Sequence, residues 1–272
     1  MSRCLSMQRR TERPLGRTIE VIDEVRRQLQ NLRGGAPGTR GWRFDYVRWA
    51  ADTERALTEV FVRRDVEAFL YTPRYWEIWR TSEPPDDFPR LFFGEVEARV
   101  AELDELIEQL KSLHRRIAGH EGRILVPDTN VFLHCTFFRD APWRDLTEGQ
   151  HARVVVPLLV LEQLDRNKTA RSQRVAERAR AVLRALEDLG VADDGPVELL
   201  GRGTIEILVD EPRHIRAPVD DEEIVEVVRY LGQTAGAPAL LVTGDLGMLV
   251  RARALGVPTA RVPEQWRLAD HG

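Results

Sequence analysis

Hydrophobic and polar positions divide the chain into two regimes. Over the first 120 residues the apolar positions recur at helical spacing. Ile19, Ile22, Val25 and Leu29 predict a helix over Thr18–Leu32, closed by Gly34, Gly35, Pro37 and Gly38. Trp49, Ala56, Leu57, Val60 and Phe61 predict a single helix from Tyr46 to about Ala68. Pro73, Pro84, Pro85 and Pro89 interrupt the pattern. A stripe from Val96 through Val100, Leu103, Ile107 and Leu110 to Ile117 then predicts a long helix over Gly94–Ala118. Its spacing suits packing on another helix.

Beyond Gly122 the period changes. Short apolar runs alternate with helical stretches, the pattern of a parallel sheet with crossover helices. Strands are expected at Arg123–Val126, Arg153–Val156, Ala239–Val242 and Thr259–Val262. Val197–Leu200 and Thr204–Val209, around Gly201 and Gly203, suggest an antiparallel hairpin. Helices are expected at Val131–Phe138, Leu158–Asp165, Ser172–Leu189, Asp221–Gln233 and Gly247–Leu255. The expected organisation is a polar, arginine-rich disordered tail over 1–17, a helical region over 18–120 and an α/β domain over 121–268.

Composition narrows the function classes. With 43% hydrophobic and 31% charged residues, the chain can build a core. A net charge of -4 excludes a uniformly basic surface but permits a local basic patch. Cys4 and Cys135 form no disulfide framework, so a reduced, cytoplasmic setting is expected. Arg3, Arg9 and Arg10 precede no apolar run, which argues against a signal peptide. No stretch reaches the ~18 apolar residues of a membrane span. The aromatics between Tyr71 and Phe93 allow base stacking or a helical core. Glu77, Glu83, Asp86 and Asp87 offset the interleaved arginines, and the core reading is favoured.

The candidate chemistry is acidic. Asp128 follows the first strand of the α/β domain, with Thr129 and Asn130 beside it. Asp245 follows the strand that ends in Val242. Asp220, Asp221, Glu222 and Glu223 open the helix between the hairpin and that strand. Glu162 lies in V-P-L-L-V-L-E-Q-L-D, after the second strand. In a parallel sheet all four positions can meet at the carboxyl edge, where ligands bind. Each acid alone can be explained as a helix cap or a partner of the helix dipole. Glu162, within an apolar turn, is harder to explain that way. Together, converging carboxylates call for a cation, and oxygen-only ligands indicate Mg2+ or Mn2+. The six histidines are scattered, and no glycine-rich phosphate loop is present. The chemistry this supports is metal-assisted phosphodiester hydrolysis. Lys168, Arg171, Arg174 and Arg178 recur at three and four residues and are read as one cationic helix face for a phosphate backbone, widened by Arg166, Arg180 and Arg184.

V-P-D-T-N-V-F, V-P-L-L-V-L-E-Q-L-D-R-N-K, D-D-E-E-I-V and L-L-V-T-G-D-L-G-M-L-V-R-A-R-A-L-G-V-P, in that order, resemble the successive motifs of a PIN domain over about 123–265. The resemblance implies a three-layer α/β/α domain with a central parallel sheet. It also implies an Mg2+- or Mn2+-dependent ribonuclease, as in RNA-processing nucleases and toxins. It puts the family's acids on Asp128, Glu162 and Asp245, with Asn130 and Thr243 as polar helpers. The third acid is Asp221 or Glu222, with Asp221 favoured. The expected roles are metal ligation by Asp128, Asp221 and Asp245, with Glu162 completing the set or orienting the attacking water. RNA is the implied substrate. The helical region lies outside the resemblance; it is left to bind a protein such as an antitoxin, to form a homodimer or to guide RNA. Two other functions stay open: a non-catalytic RNA- or protein-binding module, and a phosphatase or receiver-like domain. Lys111 and Lys168 are badly placed for the latter.

Overall fold

The computed structural model describes residues 7–10, 13–32, 41–81, 87–191, 195–210, 214 and 216–268. The expected helix stop at Gly34–Gly38, and Pro84 and Pro85, lie outside them. The chain divides into two compact units, Met1–Arg116 and Ile117–Gly272. No described helix is long and apolar enough to cross a membrane.

The first unit is helical: α1 (Leu15–Asn31), α2 (Gly41–Thr58), α3 (Arg63–Leu70), α4 (Pro73–Arg80) and α5 (Phe88–Ala118). The expected helix over 46–68 is two helices. The Val60–Val62 run leaves the helix and pairs with the N-terminal segment: Arg10 N donates to the Val60 carbonyl at 2.8 Å, and Val62 N to the Gln8 carbonyl at 2.9 Å. Met7 and Arg9 are buried there, so part of the expected disordered tail is ordered. Pro73 starts a helix rather than breaking one. It occupies the first turn, where its missing N–H costs nothing, and the Thr72 hydroxyl caps Tyr75 N at 3.1 Å. Pro89 is tolerated in the same way at the start of α5. Tyr75, Phe88 and Phe92 fill the core, whereas Trp76 and Trp79 are exposed.

The second unit carries β1 (Arg123–Pro127), α6 (Thr129–His134), β2 (Ala152–Pro157), α7 (Leu158–Asn167), α8 (Gln173–Asp188), β3 (Val197–Glu198), β4 (Thr204–Leu208), α9 (Asp220–Ala235), β5 (Leu240–Thr243), α10 (Leu246–Ala254) and β6 (Thr259–Arg261). The sheet order is β3-β4-β2-β1-β5-β6, and every neighbouring pair except β3–β4 is parallel. This is the α/β class with a central, mostly parallel sheet and a helical N-terminal region that the sequence predicts. β1, β2 and β5 are buried along almost their whole length, which explains their continuous apolar runs. Gly203 lets β4 start close against β2: a Cβ there would stand 2.2 Å from the Ala152 carbonyl oxygen, and the turn of the β3–β4 hairpin has φ +131° at this residue.

Strand order fixes the place of the site. From β1 the chain moves outward to β2 and β4 on one side, and β5 and β6 lie on the other. Right-handed crossovers in opposite directions put their helices on opposite faces. Accordingly α6, α7 and α8 pack on one another, while α9 and α10 pack together against β5. The reversal between β1 and β5 opens a crevice at their carboxyl ends.

Candidate active site

Asp128 and Asp245 stand at the carboxyl ends of these two adjacent strands. Asp128 N donates to the Val242 carbonyl at 3.0 Å, locking the end of β1 to β5. Its Oδ1 caps α6, accepting from Val131 N at 2.9 Å. Asp245 caps α10 in the same way, with Met248 N donating to Oδ1 at 2.9 Å. Thr243 joins the two: its hydroxyl accepts from Asp245 N at 3.0 Å and donates to Asp128 Oδ2. Capping and a site role are therefore not alternatives, because one carboxylate oxygen of each aspartate serves the helix.

Asp128 is 2% exposed. Burial pushes its carboxyl from the ordinary 3.8 up to about 6, and the Asp245 charge adds to that. The hydrogen bonds from Thr243 and the backbone N–H groups of Val131 and Asn130 oppose it.

Asp128 opens onto a cleft of about 580 Å³ that Asn130, Gln163, Arg166, Asp220 and Asp221 also line. The four acids at the start of α9 have separate tasks. Asp220 accepts from Gln163 Nε2 at 3.0 Å and Arg166 Nη2 at 2.8 Å. Asp221 lines the cleft, and no hydrogen bond or ion pair holds its carboxylate among the described residues. Glu222 pairs with Arg251 at 3.0 Å, away from the cleft lining. Glu223 is buried and holds the preceding loop, accepting from Ala217 N at 2.7 Å beside His214 Nε2 at 2.7 Å.

Glu162 is not brought to the cleft. Arg216 grips it with two hydrogen bonds, at 2.6 and 2.9 Å, and binds Asp210 through Nε at 2.8 Å. That guanidinium holds the Glu162 carboxyl below its ordinary value. The reason lies in helical geometry. Leu159, Val160 and Leu164 are the buried stripe of α7. Gln163 and Asn167 fall within that stripe at three- and four-residue spacing, while Glu162 falls outside it. The L-L-V-L-E-Q-L run is apolar in linear order only. Gln163, in reach of Thr129 Oγ1 and Asp220, is presented to the cleft by α7, together with Arg166 and Asn167. Two polar positions within an apolar helical stripe were the available signal.

The cationic face is also redrawn. α7 ends at Asn167, and Ser172 caps α8, so Lys168 and Arg171 lie in the turn between two helices. Lys168 pairs with Asp165. Arg178 turns inward: Nε donates to the Phe132 carbonyl at 3.0 Å, and its guanidinium lies 4.7 Å over the Phe137 ring. Burial lowers its pKa. Arg171 and Arg174 are exposed, in sequence beside the cleft-lining Ala170 and Val175.

Among the described residues no three His, Cys, Asp or Glu side chains converge tightly enough to cage a metal. The oxygen donors facing the cleft are carboxylates, amides and the Thr129 hydroxyl, and the His134 imidazole also lines it. Mg2+ takes one or two carboxylates and completes its shell with water, so Asp128 and Asp221 suit such an ion, with Asp245 tied to Asp128 through Thr243.

Residues 125–262, half of the chain, match the sequence model of the PIN domain family. The chain belongs to the PIN domain family. PIN domains are generally nucleases and generally use divalent metals. A domain of a functionally unknown protein from Methanocaldococcus jannaschii DSM 2661 is a similar solved structure, with 15% identity over 54% of this chain and 96% of that chain and a TM-score of 0.34. No curated protein matches the chain.

Proposed function

We propose that this PIN domain is an Mg2+- or Mn2+-dependent endoribonuclease that hydrolyses RNA phosphodiester bonds in the cleft at Asp128. The observation that carries the reading is Asp128 itself: a carboxylate almost fully buried at the β1–β5 crevice, with a raised pKa, and a second acid, Asp221, facing the same cleft with no partner among the described residues. A buried, perturbed group in a cleft is costly to keep and marks a functional site.

Asp128, Asp221 and Asp245 hold the cation, directly or through water. The cation, when bound, supplies Lewis-acid activation of water and stabilises charge on the phosphate. Thr243 fixes Asp128 Oδ2 and the turn before Asp245, so both carboxylates are positioned before any ligand arrives. Asn130 stands exposed beside Asp128 and offers an amide to the substrate or to water. Glu162, the acid that the family resemblance favours for the second position, is assigned no part in the reaction. Arg171 and Arg174 are assigned to the RNA backbone; Arg178 is not.

The withdrawal of Glu162 favours a second reading, a binding module that retains the PIN fold without catalysis. Cleavage of 5′-labelled RNA with Mg2+ or Mn2+, comparing wild type, Asp128→Asn and EDTA, separates the two. Metal-dependent cleavage by wild type alone supports the nuclease. RNA binding with no cleavage across a broad panel supports the module.

A further inference from the structure

The cleft has two chemically different walls. Asp128 and Asp221 form the acidic one. The other is the α7 stripe Gln163, Arg166 and Asn167. Arg166 is the lysine or arginine that lines the cleft among the described residues, and its side chain is 62% exposed. A guanidinium has five N–H donors. One of them, on Nη2, goes to Asp220 Oδ2 at 2.8 Å; the others meet no acceptor among the described residues.

Asp220 is itself held in place. Gln163 Nε2 donates to the same Oδ2 at 3.0 Å, and the Thr129 hydroxyl donates to Gln163 Oε1. A continuous chain of side chains thus runs from Thr129 through Gln163 and Asp220 to Arg166. Thr129 is the residue after Asp128, so the guanidinium is set in register with the candidate catalytic acid. A planar fork of donors oriented by a carboxylate and open to a cleft suits the two non-bridging oxygens of a phosphodiester.

We propose that Arg166, oriented by Asp220 and Gln163, is a phosphate-binding subsite of the cleft, which takes a phosphodiester of the RNA backbone beside the bond that is cut. The inference rests on the nuclease reading. Arg166 touches the substrate; Asp220 and Gln163 are positioning residues.

The test is fluorescence anisotropy with the full chain and 5′-labelled single-stranded RNA of two sequences, in EDTA and in Ca2+, over a series of salt concentrations. Arg166→Gln is expected to weaken both RNAs about tenfold and to reduce the slope of log affinity against log salt by about 0.7, one phosphate contact on a single strand. Arg166→Lys is expected to regain the slope but not the full affinity. Asp220→Asn is expected to keep the slope, since the cation remains, and to weaken binding by a smaller factor. Glu222→Gln, outside the cleft, serves as the unchanged control. Melting curves check that each variant is folded. Wild-type affinity and slope in folded Arg166→Gln would overturn the subsite while leaving the nuclease reading intact. Failure of the wild type to bind either RNA would overturn both.

Discussion

The Thr243 hydroxyl donates to Asp128 Oδ2 while it accepts the N–H of Asp245 at 3.0 Å. One side chain on β5 therefore sets the geometry of both aspartates at the strand edge. Thr243→Val keeps the shape and removes both bonds. Asp128 then loses a bond that stabilises its charge, and a buried acceptor is left unmet. The acid limb of the cleavage pH profile is expected to move up by as much as about one unit. Stability is expected to drop by about 1–3 kcal/mol. A pH–rate series and urea unfolding read the two effects, and a profile identical to wild type would contradict this role.

Asp128 also makes stability depend on pH. Its folded pKa is about 6 against an ordinary 3.8. Between those values the folded protein keeps a proton that the unfolded chain has released. Stability of the metal-free protein therefore falls as pH rises from about 4 to about 6, by up to about 3 kcal/mol. Asp128→Asn removes that cost. The variant is expected to melt higher than wild type at pH 7 without metal and to cleave nothing. Added Mn2+ should raise the melting temperature of wild type alone. Calorimetry across the pH range tests this; a flat wild-type curve would refute it.

Glu162→Gln is expected to keep cleavage within about threefold of wild type. The carboxylate is 44% exposed and paired with Arg216, and exposed pairs contribute about 0–1 kcal/mol. A loss of several hundredfold in kcat would return Glu162 to the reaction and show that Arg216 releases it when substrate binds.

The two candidates for the third acid separate by the same assay. Asp221→Asn is expected to reduce kcat by at least about 100-fold, because its carboxylate faces the cleft unengaged. Glu222→Gln is expected to leave kcat unchanged, because Glu222 holds Arg251 instead. The reverse order would reassign the acid.

Arg178 and Arg171 are expected to trade places with respect to their expected common role. Arg178→Gln loses bonds to buried carbonyls and the Phe137 stack, and is expected to cost about 1–3 kcal/mol of stability with RNA affinity unchanged in the folded fraction. Arg171→Gln is expected to weaken RNA binding and leave stability alone. Denaturant curves paired with binding isotherms decide it.

The α/β order was legible because each strand is a short apolar run with its own start and stop. The segments around Arg123–Pro127, Ala152–Pro157 and Leu240–Thr243 are buried on both faces, and burial on both faces leaves a mark in linear sequence. The positions of Asp128 and Asp245 were legible for a related reason: Asp128 follows β1 directly and Asp245 follows β5 after one residue, so strand adjacency brings them together.

Other features depended on contacts made at long range. The N-terminal segment was polar enough to read as a tail, but its backbone pairs with Val60–Val62 and ends α2 early. The cations from Lys168 to Arg178 looked periodic, yet the turn between the end of α7 at Asn167 and the Ser172 cap of α8 interrupts the single helix face that the periodicity assumed. Linear order is enough to put Asp128 and Asp245 at strand ends, because each lies within two residues of the last residue of a strand. Whether Glu162 or Gln163 of α7 faces the cleft depends on contacts between distant elements. Glu162 and Gln163 are neighbours in the chain but about 100° apart around the helix. An arginine from a distant loop takes the first, and the start of α9 takes the second.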